Sequence, residues 1–361
     1  MSRYGLMALL LFSLPAVAPD AVAQEPFYKG KRLSVLVNYA AGGPTDIEGR
    51  LFAKHLGKHI VGTPSVIVQN MDGAGGMIGA NYLGEVAPKD GTVVGYFTGA
   101  TWRYVNTPQN FRVDFRSYEF VGFQPGTSVY FVRTDVAPGM KQASDLMKAT
   151  DLIAGGLGPE NAKDLLIRLA LDMLGMKYGY VSPYRGSAAA RMALQQREIN
   201  FYSESPPSYR SLIEPSLVKT GEVIPTWYDP GYDGRKFSTP KQVEGLPIQP
   251  FHEYFQNVRG KMPSGQLWDV YRKILVVNGA MQRLSLLPPG VPQAAADALR
   301  HAVGQLNNDQ EYIAEAVKTL GYIPEWETGA DVNDRVRTAL AADPQTRDFI
   351  ADYVKKARRK Q

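Results

Sequence analysis

Short apolar runs that end in glycine turns, each followed by a stretch with apolar residues three or four apart, set the rhythm of this chain. Leu33, Val35, Leu36 and Val37 form the first run, which predicts a buried strand. Gly42 and Gly43 allow a sharp turn, and Ile47, Leu51 and Leu56 give the following helix an apolar side, with Thr45 or Asp46 as its cap. Residues 64–70 predict a second strand, and a glycine turn over 72–81 leads into another helix. Residues 92–98 predict a third strand, ending in Gly99-Ala-Thr101. Strands separated by helices imply a parallel sheet with all three turns on its carboxyl edge, where such sheets take ligands.

The pattern then starts again. Residues 120–123 and 128–133 predict strands, with Gln124-Pro-Gly126 as a possible crossing between them. A short helix over 143–149 precedes a strand and glycine turn at 152–158. The helix expected over 160–174 carries Leu165, Leu166, Leu169 and Met173 on one side. Strands at 177–181, 199–202 and 223–228 alternate with a helix at 187–196 and with another opened by the Ser205-Pro-Pro-Ser208 turn. Residues 229–247 read as surface loop, 273–287 as a returning apolar stretch, and 288–292 as the opening of a long helix to Leu306. The expected fold class is α/β with two domains. Residues 24–126 plus 285–361 make the first, and 127–284 an insert that makes the second.

Composition narrows the setting. Arg3, the apolar stretch 6–14 and Ala21-Val-Ala23 before Gln24 read as a cleaved export signal over residues 1–23, so the expected location is the periplasm. No later segment is apolar for long enough to span a bilayer. The chain has no cysteine, which removes disulfides, thiolate catalysis, cysteine metal sites and a lipid-modified N-terminal cysteine anchor. With 40 basic and 35 acidic residues the net charge is +5, which suits anionic ligands. No basic stripe with interleaved aromatics occurs, so nucleic acid is not an expected partner. The dense basic run at 355–360 reads as a solvated helix end.

Candidate chemistry is sparse. The first helix N-terminus beside Gly42 and Gly43 is a ready anion site. His55 and His59 have ligand spacing, but no glutamate of the metalloprotease kind lies between them, and two surface histidines is the plainer reading. Gly73-Ala-Gly75-Gly-Met-Ile-Gly79 approaches the dinucleotide fingerprint but is one residue too long, and the third strand lacks an acid for a ribose. A tight turn packing a helix on a strand accounts for these glycines, and no cofactor or metal is expected. No nucleophile elbow or Walker loop is present.

The runs Val37-Asn-Tyr-Ala-Ala-Gly-Gly-Pro-Thr-Asp46, Val68-Gln-Asn-Met-Asp-Gly-Ala-Gly-Gly-Met-Ile-Gly-Ala80 and Pro88-Lys-Asp-Gly-Thr92 together resemble the extracytoplasmic receptors of tripartite tricarboxylate transporters, the Bug family. Ser182-Pro-Tyr-Arg-Gly-Ser187 and Leu286-Leu-Pro-Pro-Gly-Val-Pro292 match further landmarks in order. The resemblance implies a type II periplasmic-binding-protein fold, with a ligand cleft between two closing α/β domains. It implies that backbone amides of Ala41, Gly42, Gly43 and Thr45 wrap a carboxylate, while Asp46 orders bound water. Tyr39 would line the wall, and Thr98, Gly99 and Thr101 would face the same cleft. In the second domain Gly158 and Asn161 would face the ligand's distal end, and Glu204 takes the place of a family aspartate. Pro159-Glu160-Asn161 and a longer segment over 252–269 depart from the family habit, and Glu160 would repel a second carboxylate unless it points away.

The implied function is capture of a small organic acid, of the dicarboxylate or aromatic carboxylate class. A monomeric receptor would deliver it to large and small membrane permease subunits. A secreted sensor for a signalling partner fits the same residues. An exported enzyme would have only Glu204, Glu160 and Asp46 to draw on, without a partner set.

Overall fold

The computed structural model describes residues 25–341 and 344–358. The expected export signal lies outside the described residues.

Two sheets organise the chain. The first contains β1 (Arg32–Val37), β2 (Ser65–Asn70), β3 (Val93–Thr98), β4 (Glu119–Gln124) and β13 (Arg283–Leu287), in the order β2-β1-β3-β13-β4. β1 pairs in parallel with β2 and β3, so their three following turns share the carboxyl edge, as the alternation predicted. β13 enters antiparallel between β3 and β4. Helices α1 (Pro44–His59), α2 (Met77–Glu85) and α3 (Ala100–Asn106) follow the first three strands. Apolar clusters cover both faces of this sheet, which is why its strands read as continuous apolar runs rather than alternating ones.

The second sheet repeats that plan. It contains β5 (Val129–Arg133), β6 (Leu152–Gly155), β7 (Tyr178–Val181), β8 (Phe201–Glu204), β9 (Val223–Tyr228) and β12 (Gln249–Pro250), in the order β12-β9-β5-β8-β6-β7. β6 is parallel to β7 and β8, and β5 is the antiparallel intruder between β8 and β9. Helices α4 (Ala162–Met173), α5 (Gly186–Gln195) and α6 (Pro206–Ser208), which continues as a π-helical stretch to Val218, alternate with these strands. A small ribbon, β10 (Gly231–Tyr232) with β11 (Phe237–Ser238), interrupts the segment read as loop. The longer segment after it folds as α7 (Phe251–Arg259) and α8 (Gln266–Ile274).

The chain crosses between sheets after β4 and again before β13. Gly126 N–H donates to the Gly279 carbonyl at 2.7 Å, so the two crossings are bonded to each other. A Cβ on Gly126 would lie 1.9 Å from the Gln282 side chain, which leaves room there for glycine alone.

Three expectations need correction. The cap of α1 is Gly43, without a side-chain bond; Pro44 occupies the first helical position, and Thr45 and Asp46 lie inside the first turn. Helix α4 is buried on nearly every side, because the second sheet, α8 and the C-terminal helix all pack on it; Leu165, Leu166, Ile167, Leu169, Ala170 and Leu171 are all buried. The tail does not all stay with the first sheet: α9 (Gln293–Leu306), α10 (Gln310–Leu320) and α11 (Val332–Ala339) do. Helix α12 (Pro344–Arg358) crosses over and buries Ile350 and Val354 in the second lobe's core.

Candidate functional site

The carboxyl edges of both sheets face one cleft, with a cavity of about 260 Å3. From the first lobe, residues 39–45, Thr98, Gly99, Trp102 and Arg103 line it. From the second come Thr127, Ser128, Leu157, Asn161, Lys163, Arg185, Arg191 and Asp229.

The first-lobe turn is built around Asp46. Its carboxylate accepts the Gly42 N–H at 2.8 Å, Arg50 Nε at 2.9 Å and Asn70 Nδ2 at 2.8 Å. Burial pushes this carboxyl up, but the bonds from Arg50, Gly42 and Asn70 together hold it below its ordinary value. One of the expected anion-binding amides is therefore turned inward to Asp46. Pro44 has no N–H, so Gly43, Thr45 and Asp46 supply the helix-end amides that lack intrahelical partners. Thr45 Oγ1 donates to Thr98 Oγ1 at 3.2 Å, and Asn38 clamps the Thr98 backbone from both sides at 3.0 Å, which fixes the turn against β3. Tyr39 OH donates to the Gly75 carbonyl at 3.2 Å.

The second-lobe turn uses the same device. Asp164, the third residue of α4 as Asp46 is of α1, accepts the Leu157 and Gly158 N–H groups at 3.1 and 2.9 Å and Tyr180 OH at 2.5 Å. Asn161 caps α4 by accepting the Lys163 N–H at 3.0 Å.

Of the residues named from sequence, Tyr39, Ala41, Gly42, Gly43, Thr45, Thr98, Gly99 and Asn161 come together on the cavity wall. Four do not line it. Asp46 and Gly158 brace their turns. Thr101 is fully buried and donates to the Val277 carbonyl at 3.1 Å. Glu204 is fully buried behind the wall, 2.7 Å from Arg191 and 4.0 Å from Lys163. Glu160 is outside the lining as well, and its carbonyl accepts Trp102 Nε1 at 3.1 Å.

Charge is what the sequence reading missed. Among the described residues, Arg103, Lys163, Arg185, Arg191 and Arg283 line the cleft, against Asp229 alone among the acids. Arg191 and Lys163 are held by Glu204, and Arg283 by the buried Glu48. Arg103 and Arg185 make no ion pair with any described residue. Arg185 belongs to the Ser182–Ser187 landmark, and Arg103 follows the Thr98–Thr101 turn by two residues. Position next to a turn was thus the available signal.

The two histidines on α1, expected at the surface, differ: His59 is half-buried and only His55 lies inside. His55 is buried and bonds Glu315 at 2.8 Å, and His59 bonds Asp309 at 2.8 Å. His55, Asp309 and Glu311 approach closely enough to share a cation, but the Lys58 ammonium already sits among them, 3.0 Å from His55 Nδ1 and 2.5 Å from Glu311. The group joins α1 to α10 and lies outside the cleft.

The glycine fingerprint is packing. Gly76 has φ +93°, and a Cβ there would sit 2.4 Å from Asn38 Nδ2; one on Gly79 would meet the Met71 carbonyl at 3.0 Å.

No family model matches the chain. Over 197 residues it is 34% identical to a UPF0065 protein in the TAR-I ttuE-ttuC' intergenic region of Agrobacterium vitis, covering 52% of this chain and 54% of that one. It is 26% identical over 237 residues to a UPF0065 protein in the gbd 5' region of Cupriavidus necator, covering 63% of this chain and 68% of that one. The first of these alignments spans about half the relative's length. Among solved structures, the periplasmic binding protein BugD matches with a TM-score of 0.63 at 21% identity, covering 91% of this chain and 98% of that one. A Rhodopseudomonas palustris protein with adipate gives 0.62 at 18% identity, covering 91% and 97%. MatC of Rhodopseudomonas palustris with bound malate gives 0.58 at 17%, covering 89% and 99%. Both sequence relatives are described as UPF0065 proteins. The structural likenesses show that this is the two-lobed α/β fold of periplasmic binding proteins.

Proposed function

We propose that the protein is a periplasmic solute receptor, not an enzyme, that closes its two lobes on a small organic carboxylate and delivers it to tripartite tricarboxylate-type permease subunits. Export by residues 1–23, action as a monomer, and domains formed by 24–126 with most of 285–361 and by 127–284 belong to the same reading. Arg103 and Arg185 carry it: two guanidinium groups on the wall of one cleft, neither paired with a carboxylate among the described residues. Cations without a carboxylate partner on a cleft wall, Arg103 half-buried and Arg185 exposed, favour an anion that arrives from outside. Gly43 and Thr45, whose helix-end amides lack intrahelical partners, line the same space from the first lobe, with Asn161 opposite. Structural neighbours hold malate and adipate, which supports testing dicarboxylates first. The family resemblance supplies the permease partners.

Calorimetric titration of the mature protein with dicarboxylates and aromatic acids should show saturable binding. Arg103→Gln and Arg185→Gln should each weaken it by about 10- to 100-fold, the worth of a charge-assisted hydrogen bond, at unchanged thermal stability. If both variants bind as the parent does, the cleft has been assigned to the wrong ligand chemistry.

A further inference from the structure

One acid among the described residues of a wall that carries five cations is out of keeping with a site built only for anions. Asp229 follows β9 at the sheet's carboxyl edge, is 3% exposed, and lines the cavity. Its side chain is held from two elements. Tyr130 OH, from β5, donates to it at 2.8 Å, and Tyr271 OH, from α8, donates at 2.5 Å. Its backbone is fixed as well, by Thr127 Oγ1 donating to its carbonyl at 2.6 Å and by its own N–H donating to the Ser128 carbonyl at 3.0 Å. Two phenols donating to the same carboxyl leave it in the role of acceptor, and a carboxylate has about four acceptor positions. An accepting carboxylate beside a bound anion repels that anion unless the ligand also presents a donor.

We infer that Asp229 selects for a hydroxyl group on the bound acid, which donates a hydrogen bond to its carboxylate. This rests on the receptor reading above and narrows it from carboxylates in general to hydroxylated ones. Arg103, Lys163, Arg185, Arg191 and Arg283 already crowd the wall with positive charge, so a neutral hydroxyl suits the place better than an ammonium group.

The acid should also make this selectivity depend on pH. Burial pushes the Asp229 carboxyl up to about 7, against the pull of Tyr271, Tyr130, Ser128 and the nearby Lys163 ammonium. Above that value the carboxylate accepts from the ligand hydroxyl. Below it Asp229 takes a proton, the bond becomes a neutral one, and the preference shrinks. Comparing matched acids cancels the effect of pH on the shared carboxylates.

The test uses the full mature chain and pairs of probes that differ by one hydroxyl: succinate and malate, butyrate and 3-hydroxybutyrate, benzoate and 4-hydroxybenzoate. In at least one pair the hydroxylated member should bind about 10-fold tighter or more at pH 8, the gap narrowing several-fold at pH 6. Asp229→Asn should close the gap while still binding the plain acid, which also shows that the variant is folded. Tyr271→Phe, which leaves the carboxyl in place, should keep the gap. Equal binding within every pair that binds, or a gap that Asp229→Asn preserves, overturns the inference and leaves the receptor reading standing. Failure of the parent to bind any acid removes the receptor reading itself, and this inference with it.

Discussion

Glycines and aspartates do unlike work in the same turns. Gly76 stands where β2 hands over to α2, in the left-handed region and against Asn38, whose side chain clamps β3. Gly76→Ala should cost about 1–3 kcal/mol through strained backbone and displacement of Asn38. Its thermal midpoint should fall, and any acid binding should weaken with it because Asn38 holds Thr98 in place. An unchanged midpoint would return these glycines to the role of a binding loop. Asp46 and Asp164 instead tie their turns by accepting N–H groups, and this distinction was not legible in the sequence. Both aspartates sit where an anion-site reading would have them face outward. Asn70 and Tyr180, each remote in sequence from the turn it serves, together with Arg50 one helical turn after Asp46, show that they face inward.

Between elements, the contact of α1 with α10 turns on Asp309. It caps α10 by accepting the Glu311 and Tyr312 N–H groups at 2.9 and 3.1 Å and bonds His59 as well. Burial pushes its carboxyl up, but His59, Lys58 and the two backbone donors together bring it down to about 2. A carboxyl lower in the folded state than its ordinary value near 3.9 stabilises the fold above that value. The contribution is therefore present at neutral pH and is lost as pH falls from about 4 towards 2. Asp309→Asn keeps a competent cap but removes the charge. It should lower the thermal midpoint at pH 7 and narrow its difference from the parent at pH 2–3. A constant difference across that range would mean that the charge plays no part. Elements were the most legible scale, because buried strands and amphipathic helices write their periods into the sequence. The exception was α4, whose one-sided reading failed because three neighbours cover it.

At the scale of the whole molecule, the lobes are joined by a side chain as well as by the crossing strands. Trp102 leaves α3 of the first lobe and is buried in the core of the second, with its Nε1 on the Glu160 carbonyl. It also lines the cavity, so closure and the ligand wall share one residue. Trp102→Phe keeps most of the buried ring but removes the bond, and should destabilise the closed arrangement by about 0.5–1.5 kcal/mol. Small-angle scattering of the ligand-free variant should give a larger radius of gyration than the parent. Identical scattering would mean that the crossings alone set the lobe angle. Helix α12, which also contacts α3, carries Tyr353 onto Arg168, whose guanidinium lies 4.8 Å from that ring and 5.1 Å from the ring of Tyr180. Helices α9 to α12 together therefore span both lobes.

The sequence by itself determined the strand-turn-helix units, their recurrence in two halves, the glycine turns on the carboxyl edges and much of the wall they form. These are local properties, set by apolar period and by the backbone freedom of glycine. Only the tertiary structure decided which charges meet in the cleft. Arg103, Lys163, Arg185 and Asp229 come from four separate elements, and Glu204, named from sequence, is folded away behind Arg191. A side chain's charge is written in the sequence. Whether it is paired, buried or left to face a ligand depends on neighbours that folding alone brings within a few ångströms.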